Sequence, residues 1–297
     1  MTAWWKELKG LGPLREHEPM ARHTTLGVGG AARWYFQPTD KEAAIHATGI
    51  IPRDMLLFPL GRGSNLLVPD DGFEGMVMDL GKLTRCSHEG ECVVAEAGLR
   101  MSRLARHCAG LGLGGLEFMA TVPGDVGGGV AMNAGAFGQQ VSDVLQMVEI
   151  AKPGGEVKVV DVDALDMAYR RTRLPHGALV LSARFTLHLD KTGAIKKRMR
   201  DMRETRGRTQ PLEKPNCGSV FKNPEGDHAA RLIEAAGLKG FRLGGACISE
   251  KHANFIVNEG NATSSDVLAL IHHARQEVER RFGIHLETEV HALGHAL

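Results

Sequence analysis

The chain has 297 residues, 43% of them hydrophobic and 24% charged, with 36 lysines and arginines against 35 aspartates and glutamates. That length exceeds one ordinary core and calls for two or three lobes. The charge balance removes the general electrostatic argument for a nucleic-acid or membrane-surface protein. No apolar run reaches the ~20 residues of a membrane span. The opening MTAWWKELKG carries charges too often for a secretory leader, so none is expected. Cys86, Cys92, Cys108, Cys217 and Cys247 show neither CxxC spacing nor an even count. They read as reduced thiols of a cytoplasmic protein rather than a disulfide frame or a zinc site.

In chain order, KEAAIHAT (41–48) is expected as a short helix and MLLFPLG (55–61) as a buried strand running into a glycine turn. GMVMDL (75–80) and CVVAEAG (92–98) are further strands. Residues 100–115 start helical and end on glycines, which stop helices. Residues 142–161 and 177–189 alternate in short apolar runs, with a Pro-Gly-Gly turn inside the first of them. Residues 191–215 turn polar and basic, a helix plus a linker. DHAARLIEAAG (227–237) offers an Asp N-cap and a Gly stop. ANFIVN (253–258) is a strand. The helix over 264–283 places Val267, Ile271, Ala274, Val278 and Phe282 on one face. IHLETEVHAL is expected as the last strand. The first two-thirds are thus β-rich with glycine loops, and the last third is mixed α and β.

Two glycine-rich stretches stand out, LGRGSNLLVPDDGF (60–73) and TVPGDVGGGVAMNAG (121–135). Helices and strands tolerate that composition poorly, so both read as loops. Consecutive backbone N–H groups on glycine can converge into an anion nest, and the missing Cβ lets a phosphate approach the main chain. Ser64, Asn65, Thr121 and Asn133 add side-chain donors. Two nests suit a diphosphate lying between them, hence a dinucleotide cofactor; two plain tight turns are the alternative. Neither stretch has the GxGxxG or GK[ST] pattern of the commoner phosphate loops.

Four polar clusters remain. CGSVFKNP (217–224) holds Ser219, a loop hydroxyl or a proton donor, with Lys222 and Asn223 after it. SEKHANF (249–255) carries Lys251 and Asn254, a solvated loop or a wall of a substrate site. In YRRTR (169–173), Arg170 beside an aromatic suits a carboxylate. In LETEV (286–290), alternation puts Glu287 and Glu289 on one face, on an edge strand or at a site. No metal site is expected: His272 and His273, adjacent on a helix, cannot share a face.

Together HTTLGVGG (23–30), GRGSNLLV (61–68), VPGDVGGGVAMNAGAFG (122–138), YRRT (169–172), GSVFKNP (218–224), SEKHANFIVN (249–258) and LETEV resemble, in order, the UDP-N-acetylenolpyruvoylglucosamine reductase (MurB) family over about residues 20–294. The resemblance implies an α+β fold. It has a two-lobed FAD-binding domain of the vanillyl-alcohol-oxidase/PCMH type and a C-terminal α+β substrate-binding domain. The implied boundaries are 1–80 with the tail from about 290 to 297, then 81–190, then 191–289. The implied cofactor is FAD, held non-covalently because no His or Cys lies in either glycine stretch, with NADPH as co-substrate. Its contacts would be Gly61, Arg62, Gly63, Ser64 and Asn65, then Val122, Pro123, Gly124, Gly127, Gly128, Asn133 and Gly135. Ser219 would be the proton donor, with Arg170 and Glu289 beside the substrate carboxylate. Lys222, Asn223, Lys251 and Asn254 would meet the UDP-sugar or nicotinamide phosphates. No protein partner, nucleic acid or membrane is implied. Arg62 departs from a family glycine, and Cys217 from a family alanine; if Cys217 lines the site, thiol reagents should inactivate. The span from Tyr169 to Gly218 matches the shorter branch, without the long tyrosine loop. Two alternatives differ in class: a sugar or alcohol oxidase of the same fold, and a nucleotide- or RNA-binding module using the basic stretch 196–208. That stretch lacks the interleaved aromatics of single-strand stacking.

Overall fold

The computed structural model describes residues 4–294. They form two compact units: the described residues up to 16, with 34–62 and 74–205, in the first, and 17–33, 63–73 and the described residues from 206 onward in the second. The chain passes back and forth between them, and each has its own apolar core.

In the first unit, α1 (Trp4–Leu8) is followed by α2 (Lys41–Ile50). Asp40 caps α2 by accepting from Ala43 N at 2.8 Å, and Ala43, Ala44 and Ala47 are buried. A five-stranded sheet runs in the order 157–161, 145–151, 179–186, 92–96, 86–89, each neighbouring pair antiparallel. Gly154 (φ +95°) and Gly155 (φ +84°) turn the chain between the first pair, as the Pro-Gly-Gly motif requires. Against this sheet's side chains lie α3 (Met101–Gly110) and α4 (Val126–Ala131), and α5 (Thr192–Thr209) adds Ile195 and Met199 to the same core. A second sheet of four strands has the order 14–19, 31–36, 73–79, 57–60, with the last pair parallel; the ends 17–19, 31–33 and 73 of its strands are counted with the second unit. The strand 57–60 buries only Leu60, less than the apolar run suggested.

The second unit holds α6 (Ala229–Ala235), α7 (Ser264–Phe282) and a three-stranded antiparallel sheet of 242–243, 246–248 and 256–258. A capping box between Thr263 and Asp266 starts α7, and Gly283 at φ +67° ends it. Val267, Leu270, Ile271, Ala274 and Val278 are buried. Phe282, expected on that face, is 39% exposed: it falls in the terminal turn closed by Gly283. Asp227 is not the N-cap of α6. Its carboxylate is taken by Arg231 and by His228 N, and Asn223 Oδ1 accepts from Ala229 N at 3.1 Å instead. The expected last strand shrinks to His291–Ala292, parallel to Leu66–Leu67, plus one bridge between Thr288 and Phe221.

The largest departure is α4. The residues VGGGVA form a helix, not a loop. Glycine in a helix costs about 1 kcal/mol each relative to alanine. Here two of the three pack closely, Gly127 on the short, rigid Ala97 and Gly129 on the flexible end of Met101. A Cβ at Gly127 would stand 2.9 Å from Ala97 Cβ, and one at Gly129 would stand 2.6 Å from Met101 Sδ. The backbone of Gly127 also donates to Ala97 O at 2.8 Å. The glycines let the helix lie directly on its neighbours.

Candidate active site

Within the second unit, residues 218–222 are pinned from both sides. Val220 N donates to Asn254 O, and Val220 O accepts from Glu289 N at 2.8 Å. Asn254, 4% exposed, spends its whole amide on Phe221: Oδ1 accepts from Phe221 N at 2.9 Å and Nδ2 donates to Phe221 O at 2.8 Å. Lys222 N donates to Glu287 O. Gly218 at φ +79° turns the chain into this strand-like segment. Ser219 is half-buried, and no hydrogen bond engages its hydroxyl among the described residues. It is a placed hydroxyl with its donor capacity unspent.

The same unit brings part of the first glycine stretch to this segment. Asn65 Nδ2 donates to Glu289 O at 2.9 Å, and Asn65 O accepts from His291 N. A Cβ at Gly218 would stand 3.8 Å from Ser64 O. Gly63 has φ +63°, and a Cβ there would lie 2.2 Å from His23 O, so only glycine passes. Asp70 closes the stretch by accepting from Ser264 N and Ser265 N at the start of α7. Ser219, Glu289 and residues 63–65 therefore share one framework.

The two glutamates of LETEV separate. Glu287 is 72% exposed at its side chain and pairs with Lys222 at 3.1 Å, whereas Glu289 is half-buried. Leu286 and Val290 are buried, so the alternation survives without a full strand. Cys217 lies in the core of this unit, 1% exposed. Burial, with the negative charge of Glu289 adding to it, pushes its thiol up to about 12. A thiol buried in this way does not meet the condition on which inactivation by thiol reagents was expected. Lys251 Nζ donates to Gly207 O at 2.7 Å. Asn254 and Asn223 act through backbone partners, and sequence reasoning gave no sign of either arrangement.

The first unit holds Arg170, Gly61, Arg62, Val122, Pro123, Gly124, Gly127, Gly128, Asn133 and Gly135. Arg170 takes φ +55°, donates from Nη2 to Gly135 O at 3.0 Å, and packs over the Tyr169 ring at 4.9 Å. Asn133, fully buried at φ +41°, donates to Ala168 O and accepts from Ser142 N. Its side chain holds the turn that carries Arg170. Thr172 Oγ1 donates to Val130 O at 2.5 Å, tying the same turn to α4.

Residues 122–128 suit an extended anionic group. Gly124 sits at φ +137°, Pro123 and Gly128 are exposed, and nothing lies within 4 Å of where a Cβ on Gly128 would stand. Arg62, in the first glycine stretch, is exposed. Gly128 offers open space for a close approach and Arg62 a cation, whereas Val126 N and Gly127 N are already spent on Leu99 O and Ala97 O. Among the described residues there is no group of three or more His, Cys, Asp or Glu placed to hold a metal ion. No helix among them is long and apolar enough to cross a membrane.

Residues 32–161 match the model of an FAD binding domain, and residues 210–293 match the C-terminal domain of UDP-N-acetylenolpyruvoylglucosamine reductase. Over 286 residues the chain is 44% identical to the UDP-N-acetylenolpyruvoylglucosamine reductase of Alkalilimnicola ehrlichii, covering 96% of each chain. The chain belongs to the UDP-N-acetylenolpyruvoylglucosamine reductase family. The reductase of Limosilactobacillus fermentum is 40% identical, with 95% of this chain and 94% of that one covered. The crystal structure of the Thermus caldophilus reductase of this family superposes with a TM-score of 0.82 at 34% identity, covering 95% of this chain and 98% of that one. The fold is the family's: an FAD-binding domain and a C-terminal α+β domain.

Proposed function

We propose that the chain is an FAD-dependent oxidoreductase that uses NADPH to reduce UDP-N-acetylglucosamine enolpyruvate to UDP-N-acetylmuramate, a step of peptidoglycan precursor synthesis. The observation that carries this reading is the match to reductases of that name over nearly the entire chain, through both domains. When bound, FAD supplies the hydride relay from NADPH to the methylene carbon of the enolpyruvyl group.

The chain's residues do the rest. Gly61, Arg62, Gly63, Ser64 and Asn65, and Val122, Pro123, Gly124, Gly127, Gly128, Asn133 and Gly135, are the residues that would hold the cofactor. The roles assigned to Arg170 and to Glu289 are electrostatic: each would stabilise the negative charge that develops beside the substrate carboxylate as the hydride arrives. Ser219 delivers a proton to the adjacent carbon, so one hydride and one proton saturate the double bond. A hydroxyl with no other partner in the described structure is suited to that transfer. Lys222 and Lys251 supply cations for the phosphates of the sugar nucleotide or of NADPH. The three-part division at about residues 80 and 190, the tail rejoining the first lobe, belongs to the same reading. So does a cytoplasmic location with no obligate protein partner.

The test is a visible spectrum of the purified chain under anaerobic conditions. Flavin bands should bleach with NADPH and return when the enolpyruvyl sugar nucleotide is added. Absence of flavin bands after incubation with FAD would overturn the reading, and bleaching without recovery would overturn the substrate.

A further inference from the structure

Asp125 is the one acidic side chain between Thr121 and Gly135. It is 6% exposed. It occupies the N-cap position of α4, yet its carboxylate makes no capping hydrogen bond. Neither oxygen has a hydrogen-bond or ion-pair partner among the described residues. Its oxygens are not among the fully sealed unpaired side-chain atoms, so they reach solvent, and hence a ligand, while most of the residue is desolvated, which makes the ionised form costly.

The backbone, not the carboxyl, fixes its place. Gly124 O accepts from Met101 N at 3.1 Å, Val126 N donates to Leu99 O at 2.9 Å, and Asp125 itself bridges Arg100. One carboxyl oxygen faces Gly61 of the other glycine stretch: a Cβ there would stand 3.1 Å from Oδ2. Three charged groups act on it. Arg100 and Arg62 favour the carboxylate, and Asp79 opposes it. Asp79 is itself held by the Tyr35 hydroxyl at 2.5 Å and Gln37 Nε2 at 2.6 Å.

We propose that Asp125 couples cofactor binding to proton uptake: as a neutral acid it donates a hydrogen bond to a flavin diphosphate oxygen, and as a carboxylate it repels that diphosphate. The inference rests on the FAD reading above. Burial outweighs the two arginines, assisted by Asp79, and pushes the acid up to about 6 without any ligand. The bound diphosphate, doubly negative, raises it further. Between the two values FAD binding takes up one proton. Affinity is therefore level below about pH 6 and weakens above it, by up to about tenfold per pH unit. The diphosphate is ionised throughout this range, so the titrating group belongs to the protein.

The test is titration of the flavin-free full chain with FAD, followed by quenching of flavin fluorescence between about pH 5.5 and 8.5. Calorimetry in two buffers of different ionisation enthalpy counts the protons. The wild-type chain should bind more weakly as pH rises and take up a proton above pH 6. Asp125→Asn keeps the shape and a donor, and should bind with a level pH profile and no proton uptake at this site. Should that variant fail to fold by circular dichroism, the two-buffer calorimetry on the wild-type chain still decides. A wild-type affinity independent of pH, or an Asn variant that keeps the wild-type slope, overturns the proposal. So does affinity that strengthens with pH and collapses in the Asn variant, which would mean an ionised Asp125 accepting from a sugar hydroxyl. No FAD binding at any pH would instead overturn the FAD reading itself.

Discussion

Single side chains in this molecule divide by what they touch. Asn254 and Asn133 look like ligand donors in sequence, but each spends its amide on backbone, one framing the Ser219 segment and the other the Arg170 turn. Ser219 keeps its hydroxyl unspent. Ser219→Ala should leave flavin reduction by NADPH intact and slow reoxidation by substrate about 100-fold or more, the usual span of a lost proton donor. Arg170→Ala should likewise hurt the second half-reaction more than the first. Stopped-flow absorbance separates the two steps, and equal damage to both would remove these roles. Cys217 was legible as a departure from the family but not as a buried one. Its thiol, pushed up to about 12 by burial, should stay unmodified by iodoacetamide at neutral pH while the half-buried Cys92 reacts. Mass analysis of the peptides reads this directly, and alkylated Cys217 in the folded chain would contradict it.

At the scale of elements, the second glycine stretch is the instructive case. Composition alone argued for a loop because each helical glycine costs backbone entropy. Packing reverses that preference at Gly127 and Gly129, where no side chain fits without displacement. Gly128 differs, being exposed with open space above it. Gly128→Ala should therefore stabilise the flavin-free chain by about 0.5–1 kcal/mol through helix propensity. It should also weaken FAD binding, because the added methyl occupies the face assigned to the cofactor. Gly127→Ala should destabilise the chain with or without FAD, since the methyl meets the short, rigid Ala97. Thermal midpoints of both variants, with and without FAD, check the pair. Identical behaviour of the two would sink the distinction. The amphipathic stripe of α7 was legible by contrast, because its period and its capping residues point the same way.

Across the molecule, stability rests on two cores and on ion pairs that tie distant segments. Arg198 of α5 donates to Glu117, which is 4% exposed, and to Asp190. Burial raises the Glu117 carboxyl, but the bonds from Arg198 and from the backbone N–H of Gly115 outweigh it and hold it below its ordinary value. The hydrogen bonds of Arg198 and Lys191 lower Asp190 as well. Carboxylates held low contribute stability that is full above the unfolded value of about 4 and lost as pH falls through the folded one. Arg198→Ala leaves Glu117 buried and unpaired, at a cost of about 3 kcal/mol at neutral pH. Its deficit in thermal midpoint should narrow as the medium is acidified below about pH 4. A deficit independent of pH would show that packing, not charge, is what Arg198 provides.

The sequence by itself carried the resemblance to the family, and through that resemblance the cofactor, the reaction and the α+β fold class, because short motifs in fixed order are local features that need no packing to be read. It also determined most helices, whose apolar period and caps are written within one turn or two. Tertiary structure alone decided that VGGGVA is a helix, that Asn254 and Asn133 bind backbone, that Cys217 is buried, and that Glu289 rather than Glu287 is shielded from water. It alone left the Asp125 carboxyl largely buried with no hydrogen-bond or ion-pair partner among the described residues. Each of these depends on what a residue far along the chain brings within a few ångströms, and that information does not exist until the chain has folded.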